Sequence, residues 1–186
     1  MGGLFQSCNE LEFLDLSNFD TSNVNSMICM FGGCNKLKEI KGLNNFNIKN
    51  VTTMRGMFVF CEELENLDLS NFDTTKVTDM AHMFNGCHKL KEIKGINIFK
   101  TDNVLNMSKM FQECENLENL DLSNFNISIV ADMSYMFNGC KKLKKIQGIN
   151  NFNLDKGINI QNIFKGCNEL EKLDISNFKN PNINIV

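Results

Sequence analysis

The chain has little of several residue types on which other folds and functions depend. Its 186 residues include no tryptophan, one tyrosine, two histidines and one proline, Pro181. No run of 18 apolar residues occurs, so the sequence has no candidate transmembrane helix. With a single proline, no proline-rich linker divides the chain, and its length fits one domain of ordinary size. Met1 to Leu4 show neither a basic and then apolar signal region nor, with Gln6 at the sixth position, a myristoylation pattern.

The chain also lacks a large excess of charge of either sign. Lysine and arginine number 19 and aspartate and glutamate 22, which gives a net charge of −3 and a pI near 5.5. Residues of both signs are interspersed along the chain. A nucleic-acid-binding patch or a polybasic membrane surface would need a cluster of one sign. We therefore expect neither nucleic acid nor direct membrane insertion among the partners.

What the chain does have is a fixed period. Seven of its cysteines follow one another in steps that alternate between 26 and 27 residues: Cys8, Cys34, Cys61, Cys87, Cys114, Cys140 and Cys167. Self-similarity at a fixed period indicates a repeat architecture, which is mainly a way to build an extended surface. Both ends cut the repeat in mid-phase. We expect residues 1–186 to form a single solenoid domain that is a fragment of a longer array.

The alternating step has a local source. One half-repeat has the pattern C-x-x-L-x-x-L-D-L-S-N-F, as from Cys61 to Phe72. The other has C-x-x-L-K-E-I-K-G-x-N-x-F, as from Cys87 to Phe99, with one residue more before its phenylalanine. Two successive coils therefore make up the true unit of 53 residues.

Each coil combines two periodicities. The segment Leu67-Asp68-Leu69 alternates apolar and polar residues, as a half-buried strand does. In the second part, Val77, Met80 and Met83 recur at the spacing of one helix face. Strand, helix and parallel strand favour a right-handed connection. The sequence predicts an α/β, right-handed solenoid of about seven coils, with parallel strands on one face and short helices on the other.

Two phenylalanine columns are the predicted core. One contains Phe19, Phe46, Phe72, Phe99, Phe125, Phe152 and Phe178, and the other Phe5, Phe31, Phe58, Phe84, Phe111, Phe137 and Phe164. Methionines fill the space between them. An asparagine precedes most members of the first column: Asn18, Asn45, Asn71, Asn124, Asn151 and Asn177. We expect these asparagines to form a buried ladder that satisfies backbone groups of the stacked turns.

Charges alternate in sign from coil to coil. The residues four positions after each cysteine are Glu12, Lys38, Glu65, Lys91, Glu118, Lys144 and Glu171, and those seven positions after are Asp15, Lys41, Asp68, Lys94, Asp121, Gln147 and Asp174. Neighbouring strands lie about 4.7–4.9 Å apart, so alternation replaces repulsion with attraction. The ladder has a structural interpretation as register control, and a functional one in which Asp68, Lys94 and Asp121 contact a protein partner.

A second candidate surface flanks the predicted helix. The column of Cys29, Gly56, His82, Lys109, Tyr135 and Asn162 accepts any residue type, which suggests exposure. His82, Lys109 and Tyr135 are therefore further candidate partner-binding residues. Cys29 is predicted to be an exposed thiol that could form an intermolecular disulfide. The seven periodic cysteines are instead expected to be buried and reduced.

The residues offer no support for catalysis. The two histidines, His82 and His88, form no Ser-His-Asp or Cys-His arrangement, and the carboxylates belong to the ladder or precede the predicted helices. No C-x-x-C pair occurs, and one thiol per coil cannot form a tetrahedral zinc site. We expect no enzyme activity, no catalytic residues, no metal and no cofactor.

The residues from Leu67 to Cys87 closely resemble the repeat of BspA-like leucine-rich-repeat surface proteins, which are common in mycoplasmas. The resemblance recurs in every coil. It implies surface display or secretion, adhesion and virulence, and binding to host surface or matrix proteins. The chain has no signal peptide, so an intracellular protein-interaction scaffold and a structural spacer stay open as alternatives. Self-association through coil ends or Cys29 is a further expectation.

Overall fold

A computed structural model of the chain describes residues 1–154 and 157–170. Six strands of three residues each occur in it: β1 (Phe13–Asp15), β2 (Glu39–Lys41), β3 (Asn66–Asp68), β4 (Glu92–Lys94), β5 (Asn119–Asp121) and β6 (Lys145–Gln147). They pair in parallel as β1 with β2, β3 with β4 and β5 with β6. In each pair the central apolar residues lie opposite one another, as Leu67 does with Ile93. The predicted parallel strands are confirmed.

The predicted short helices are wrong. The described residues contain no α-helix, and their only helical elements are single 3₁₀ turns at Leu43–Asn45, Ile96–Ile98 and Ile149–Asn151. Where helices were expected, the chain forms successive tight turns, which we call the turn segment. None of the helical elements in the described part of the chain is long and apolar enough to cross a bilayer.

Hydrogen bonds explain why the turn segment is not helical. The Met83 amide donates to the Met80 carbonyl, three residues back, whereas the His82 amide donates to the Ser108 carbonyl of the next coil at 2.9 Å. In an α-helix every amide would bond four residues back within its own segment. Here alternate amides close local turns and the others bond along the stack. Isolated parallel bridges continue this ladder from Ser26 to Asn159 without a missing step.

Left-handed residues make these turns geometrically feasible. A type II turn needs a positive φ at its third residue. Two positions per coil supply it, with φ of 60° at His82 and 75° at Gly86. The first column is Cys29, Gly56, His82, Lys109, Tyr135 and Asn162, and the second is Ser7, Gly33, Phe60, Gly86, Glu113, Gly139 and Gly166. A helix cannot continue through such a residue, whatever the spacing of the methionines.

The phenylalanine columns lie as predicted. Rings from Phe5 to Phe164 form one stack with centroids 5.4–5.7 Å apart and planes within 11° of parallel. In the other column the rings from Phe46 to Phe152 are buried, whereas Phe19 is 39% exposed. Phe178 lies outside the described residues. The methionines of the turn segments are buried in the same core as both columns.

The periodic thiols are buried and reduced, with one exception. The Cys87 Sγ donates to the Phe58 carbonyl of the preceding coil at 3.1 Å, and each buried member of the column does the same. Cys8, the first member of the column, is exposed. Burial raises the pKa of the Cys87 thiol to about 12, so it stays protonated and unreactive at neutral pH.

The asparagine ladder is exposed, not buried. Asn71 and Asn124 lie at the surface, where their side-chain amides donate to the carbonyls of Asn44 and Asn97 in the preceding coils. The surface position follows from the turn that precedes each phenylalanine, since water can reach it. Asn177 lies outside the described residues. The expected bonding to neighbouring turns is present, but the expected burial is not.

The buried polar ladder is made of threonine instead. The Thr74 hydroxyl accepts from the Lys100 amide at 2.7 Å and donates to the Lys100 carbonyl at 2.9 Å. Thr21 and Thr101 are buried in the same way against Asn47 and Asn126. Each hydroxyl therefore satisfies two backbone groups that would otherwise be buried without partners.

Candidate interaction surfaces

Two surfaces carry the candidate residues from the sequence. The strand face consists of the outward side chains of β1–β6 and includes Asp68, Lys94 and Asp121. The turn face consists of the outward side chains of the turn segments and includes His82, Lys109 and Tyr135. Asp68 and Lys94 form an ion pair at 3.0 Å, and Lys94 and Asp121 line a common groove. The three turn-face residues lie close to one another on successive coils.

Ion pairs on the strand face join coils in twos. Lys91 contacts Glu65 at 2.7 Å and Lys94 contacts Asp68 at 3.0 Å, both between β3 and β4 or just before them. The same arrangement occurs beside β1 and β2 (Lys36–Glu10, Lys38–Glu12 and Lys41–Asp15) and beside β5 and β6 (Lys144–Glu118). Between these coil pairs the described residues near the strands form only two longer contacts, Lys144 with Glu169 at 3.9 Å and the His88 ring with Glu115 at 3.8 Å. The predicted charge ladder is therefore interrupted at every second step.

The ion pairs shift carboxylate pKa values without creating an acid–base site. Hydrogen bonds from the Ser70 hydroxyl and from Lys94 lower the pKa of Asp68 to about 2. Lys91 lowers the pKa of Glu65 in the same direction, mainly through its hydrogen bond. The carboxylates of Asp68 and Glu65 therefore stay ionised at neutral pH. Exposed pairs of this kind contribute little to stability because water screens them, so their main contribution is to the register of the strands.

Glycine holds the two coils of a pair together. A Cβ on Gly95 would lie 2.5 Å from the Cα of Ser70 in the preceding coil, and Gly42 and Gly148 meet Ser17 and Ser123 in the same way. Only a residue without a side chain allows this approach. Sequence reasoning missed this contact. Its signal was the glycine that recurs in every second coil, within the motif K-G-x-N-x-F or its variant Q-G-x-N-x-F.

Grooves separate one coil pair from the next. The extra residue of every second coil forms the 3₁₀ turn Ile96–Ile98, which packs against β5 and sits between the coil pairs. β4 and β5 share no ladder, and most of their Cα–Cα separations exceed 8 Å. A groove of about 840 Å³ lies there, with Lys94 on one wall and Asp121 on the other. An equivalent groove of about 310 Å³, lined by Asp68 and Lys94, lies between β2 and β3.

The turn face brings its three candidate residues side by side. The Lys109 Nζ lies 5.5 Å from the ring centroid of Tyr135, a cation–π contact between successive coils. The His82 ring lies 3.1 Å from the Asn85 amide nitrogen. Partial burial, reinforced by Arg55 and Lys109, lowers the pKa of His82, so the ring is neutral at pH 7. In residues 1–154 and 157–170 no three His, Cys, Asp or Glu side chains are placed to hold a metal.

Cys29 is less accessible than its column predicted. It is only partly exposed and has a φ of 48°, and its Sγ faces Gly56 of the next coil. A column that accepts any residue therefore indicates tolerance of a left-handed turn as much as exposure. The exposed thiol of the chain is Cys8.

A family model and several solved structures are similar to this chain. The family model is described as a Mycoplasma protein of unknown function, DUF285, and it matches residues 1–98 and 88–185. No curated protein matches the chain.

The solved structures share the fold at low sequence identity. A leucine-rich-repeat protein of T. pallidum is 20% identical with a TM-score of 0.57, over 94% of this chain and 71% of that one. A leucine-rich-repeat protein of Bacteroides ovatus is 18% identical with a TM-score of 0.51, over 79% and 40%. The pneumococcal vaccine antigen PcpA is 20% identical with a TM-score of 0.50, over 92% and 38%. The chain thus spans less than half the length of two of these proteins.

Proposed function

Because the chain belongs to the DUF285 family of Mycoplasma proteins of unknown function, we propose that it is a non-enzymatic protein-binding module of a surface-displayed adhesin. The family match and the leucine-rich-repeat fold confirm the resemblance to BspA-like proteins. Among the structural neighbours, one is described as a pneumococcal vaccine antigen. Surface display and adhesion are our extension to this chain.

The strand face is the observation that supports this proposal. It presents the same outward positions coil after coil on a backbone that buried phenylalanine rings hold in place. Its charges alternate and are largely paired within coil pairs, so a polyanion of uniform sign fits it poorly. A folded protein with its own mixed surface fits it better, because rim charges chiefly set specificity and association rate.

Location can be tested by protease shaving of intact source cells, followed with an antibody against this segment. Loss of the signal from unlysed cells is the expected result. A signal that persists until lysis would refute the adhesin proposal and favour an intracellular scaffold.

Binding can be tested with the purified chain against a panel of purified host matrix and cell-surface proteins. The strand-face variant carries Lys94→Glu and Asp121→Lys, and the turn-face variant carries Lys109→Ala and Tyr135→Ala. Binding by the two variants is compared only if each has the circular dichroism spectrum of the native chain, which shows that it is folded. We expect the strand-face variant alone to lose a ligand of the native chain. Loss in the turn-face variant alone would move the site to the other surface, and no ligand for any form would favour a spacer.

A further inference from the structure

β4 and β5 lie farther apart than two hydrogen-bonded neighbours in a sheet. Neighbouring strands lie about 4.7–4.9 Å apart, so two strands with a third between them are separated by about 9.5 Å. Most Cα–Cα separations between β4 and β5 exceed 8 Å, and a cavity of about 840 Å³ lies over this gap and extends to residues of β3 and β6. The two strands run parallel within one stack. The groove thus lies between the edges of two two-stranded sheets.

Unpaired backbone groups face each other across this groove. The Glu92 amide donates to the Glu65 carbonyl and the Lys94 carbonyl accepts from the Leu69 amide, so Ile93, which lies between them, directs its amide away from β3. The Leu122 amide donates to the Gln147 carbonyl, so the amides of Asn119 and Asp121 point away from β6. Because donors alternate along a strand, these amides line the groove.

The walls of the groove define which peptide fits. Ile93, Ile96 and Leu120 line its floor and favour aliphatic side chains that point inward. At the rim, Lys91 and Lys94 are already paired with carboxylates of β3 and its preceding residues. Glu92 and Asp121 have no lysine or arginine partner in the described part of the chain, although Lys145 lies beyond them on β6.

We propose that this groove binds an extended segment of a partner protein as an added strand, with aliphatic residues facing inward and basic residues facing Glu92 and Asp121. The segment completes the sheet from both edges, since its two sets of amides and carbonyls reach β4 and β5 at once. Addition of a strand to a sheet edge is a general mode of peptide recognition, and here two edges are available. The inference rests on the proposed protein-binding function and specifies its ligand.

The test uses the full chain and a capped nine-residue peptide of alternating lysine and valine. Titration is followed by the amide resonances of the labelled protein. The expected shifts are confined to Ile93, Asn119, Asp121 and their neighbours. Absence of binding, or shifts confined to the turn face, would overturn the proposal.

N-methylated peptides test whether both edges are used. In an extended peptide the lysine amides point to one side and the valine amides to the other. One peptide is N-methylated at its lysines and the other at its valines. We expect each to bind about tenfold more weakly than the parent, since each loses one set of hydrogen bonds. Weakening by only one of them would show addition to a single edge and overturn the insertion.

Protein variants provide the matched controls. Asn119→Pro removes a groove-facing amide and leaves the bonds between β5 and β6 intact, as proline is tolerated where the amide faces away from the ladder. Phe13→Pro, at the equivalent position of β1, removes an amide that faces away from β2 and lines neither groove, and it should leave binding unchanged. If Asn119→Pro unfolds, Glu92→Gln with Asp121→Asn takes its place, with Glu12→Gln as control. Equal affinity in variant and control would refute the proposed peptide chemistry.

The outcome here is separable from that of the proposed function. A folded ligand that binds the outward side chains of the strand face needs neither free edge. Failure of every peptide, with a folded protein still bound, would overturn only the groove inference.

Discussion

Replacement of Gly95 by alanine is the substitution that most directly tests the pairing of coils. Gly95 has a φ of 86°, and an added Cβ would lie 2.5 Å from the Cα of Ser70, 2.6 Å from its amide nitrogen and 2.8 Å from the carbonyl carbon of Leu69. The left-handed conformation costs a side-chain-bearing residue about 1–2 kcal/mol. Displacing backbone in a packed stack adds about 1–3 kcal/mol. We therefore expect Gly95→Ala to lower the free energy of unfolding by about 2–5 kcal/mol.

Gly33→Ala is the matched control for that experiment. Gly33 has a φ of 76°, but an added Cβ would come no closer than 3.5 Å to Ser7, an ordinary contact. It therefore carries the conformational cost alone, about 1–2 kcal/mol. Urea denaturation gives both values, and thermal melting checks them at about 2–4 °C per kcal/mol for a chain of this size. Equal losses in the two variants would refute the argument that close approach between coils is what requires glycine at position 95.

Three further outcomes follow from the core, the strand face and the thiols. Phe84→Ala, in the centre of the ring stack, should lower the unfolding free energy by about 3–5 kcal/mol, and Phe13→Ala, which is half exposed, by much less. Because the pKa of Asp68 is lowered on folding, its ionised carboxylate stabilises the folded chain above about pH 4, and this stabilisation is lost as the pH falls toward 2. The unfolding free energies of Asp68→Asn and the native chain should therefore differ at pH 6 and converge near pH 2. A difference that stays constant with pH would contradict this. In the folded chain at pH 8, iodoacetamide should modify Cys8 and, more slowly, Cys29, whereas in urea it should modify all 8 cysteines. Mass spectrometry counts the modified residues, and rapid labelling of the buried column in the native state would contradict its burial.

The period and the core could be predicted because they depend on the side chain alone. A column of phenylalanine at constant spacing has one efficient arrangement, a stack, and the rings from Phe5 to Phe164 adopt it. The Leu67-Asp68-Leu69 alternation likewise determines which side of a strand is buried. The pairing of Lys94 with Asp68 followed from the 53-residue unit.

The turn segment could not be predicted from apolar spacing, because two backbone conformations satisfy it. Residues at i, i+3 and i+6 share a side in a helix, and they also do so in successive three-residue turns stabilised by the next coil. The distinguishing signal was the glycine content of two columns, at Gly56 and at Gly33, Gly86 and Gly139, where the backbone is left-handed. The grooves were missed for a related reason. The extra residue of every second coil opens a groove only because the 3₁₀ turn that it forms displaces the neighbouring coil. That displacement cannot be read from the residues of any one column of the repeat.

The pairing of coils sets the step by which such an array can grow or shrink. If both coils of a pair are removed, the coils on either side of the gap come together with the same contacts as before. Glycine again meets serine, and lysine again meets a carboxylate. Removal of one coil would instead place two coils of the same type in contact, so that Glu65 would meet Glu118 and no glycine would meet Ser70 or its equivalent. A lineage of these proteins should therefore change length in increments of 53 residues, and the two-coil pair, not the single repeat, is the unit that duplication can copy.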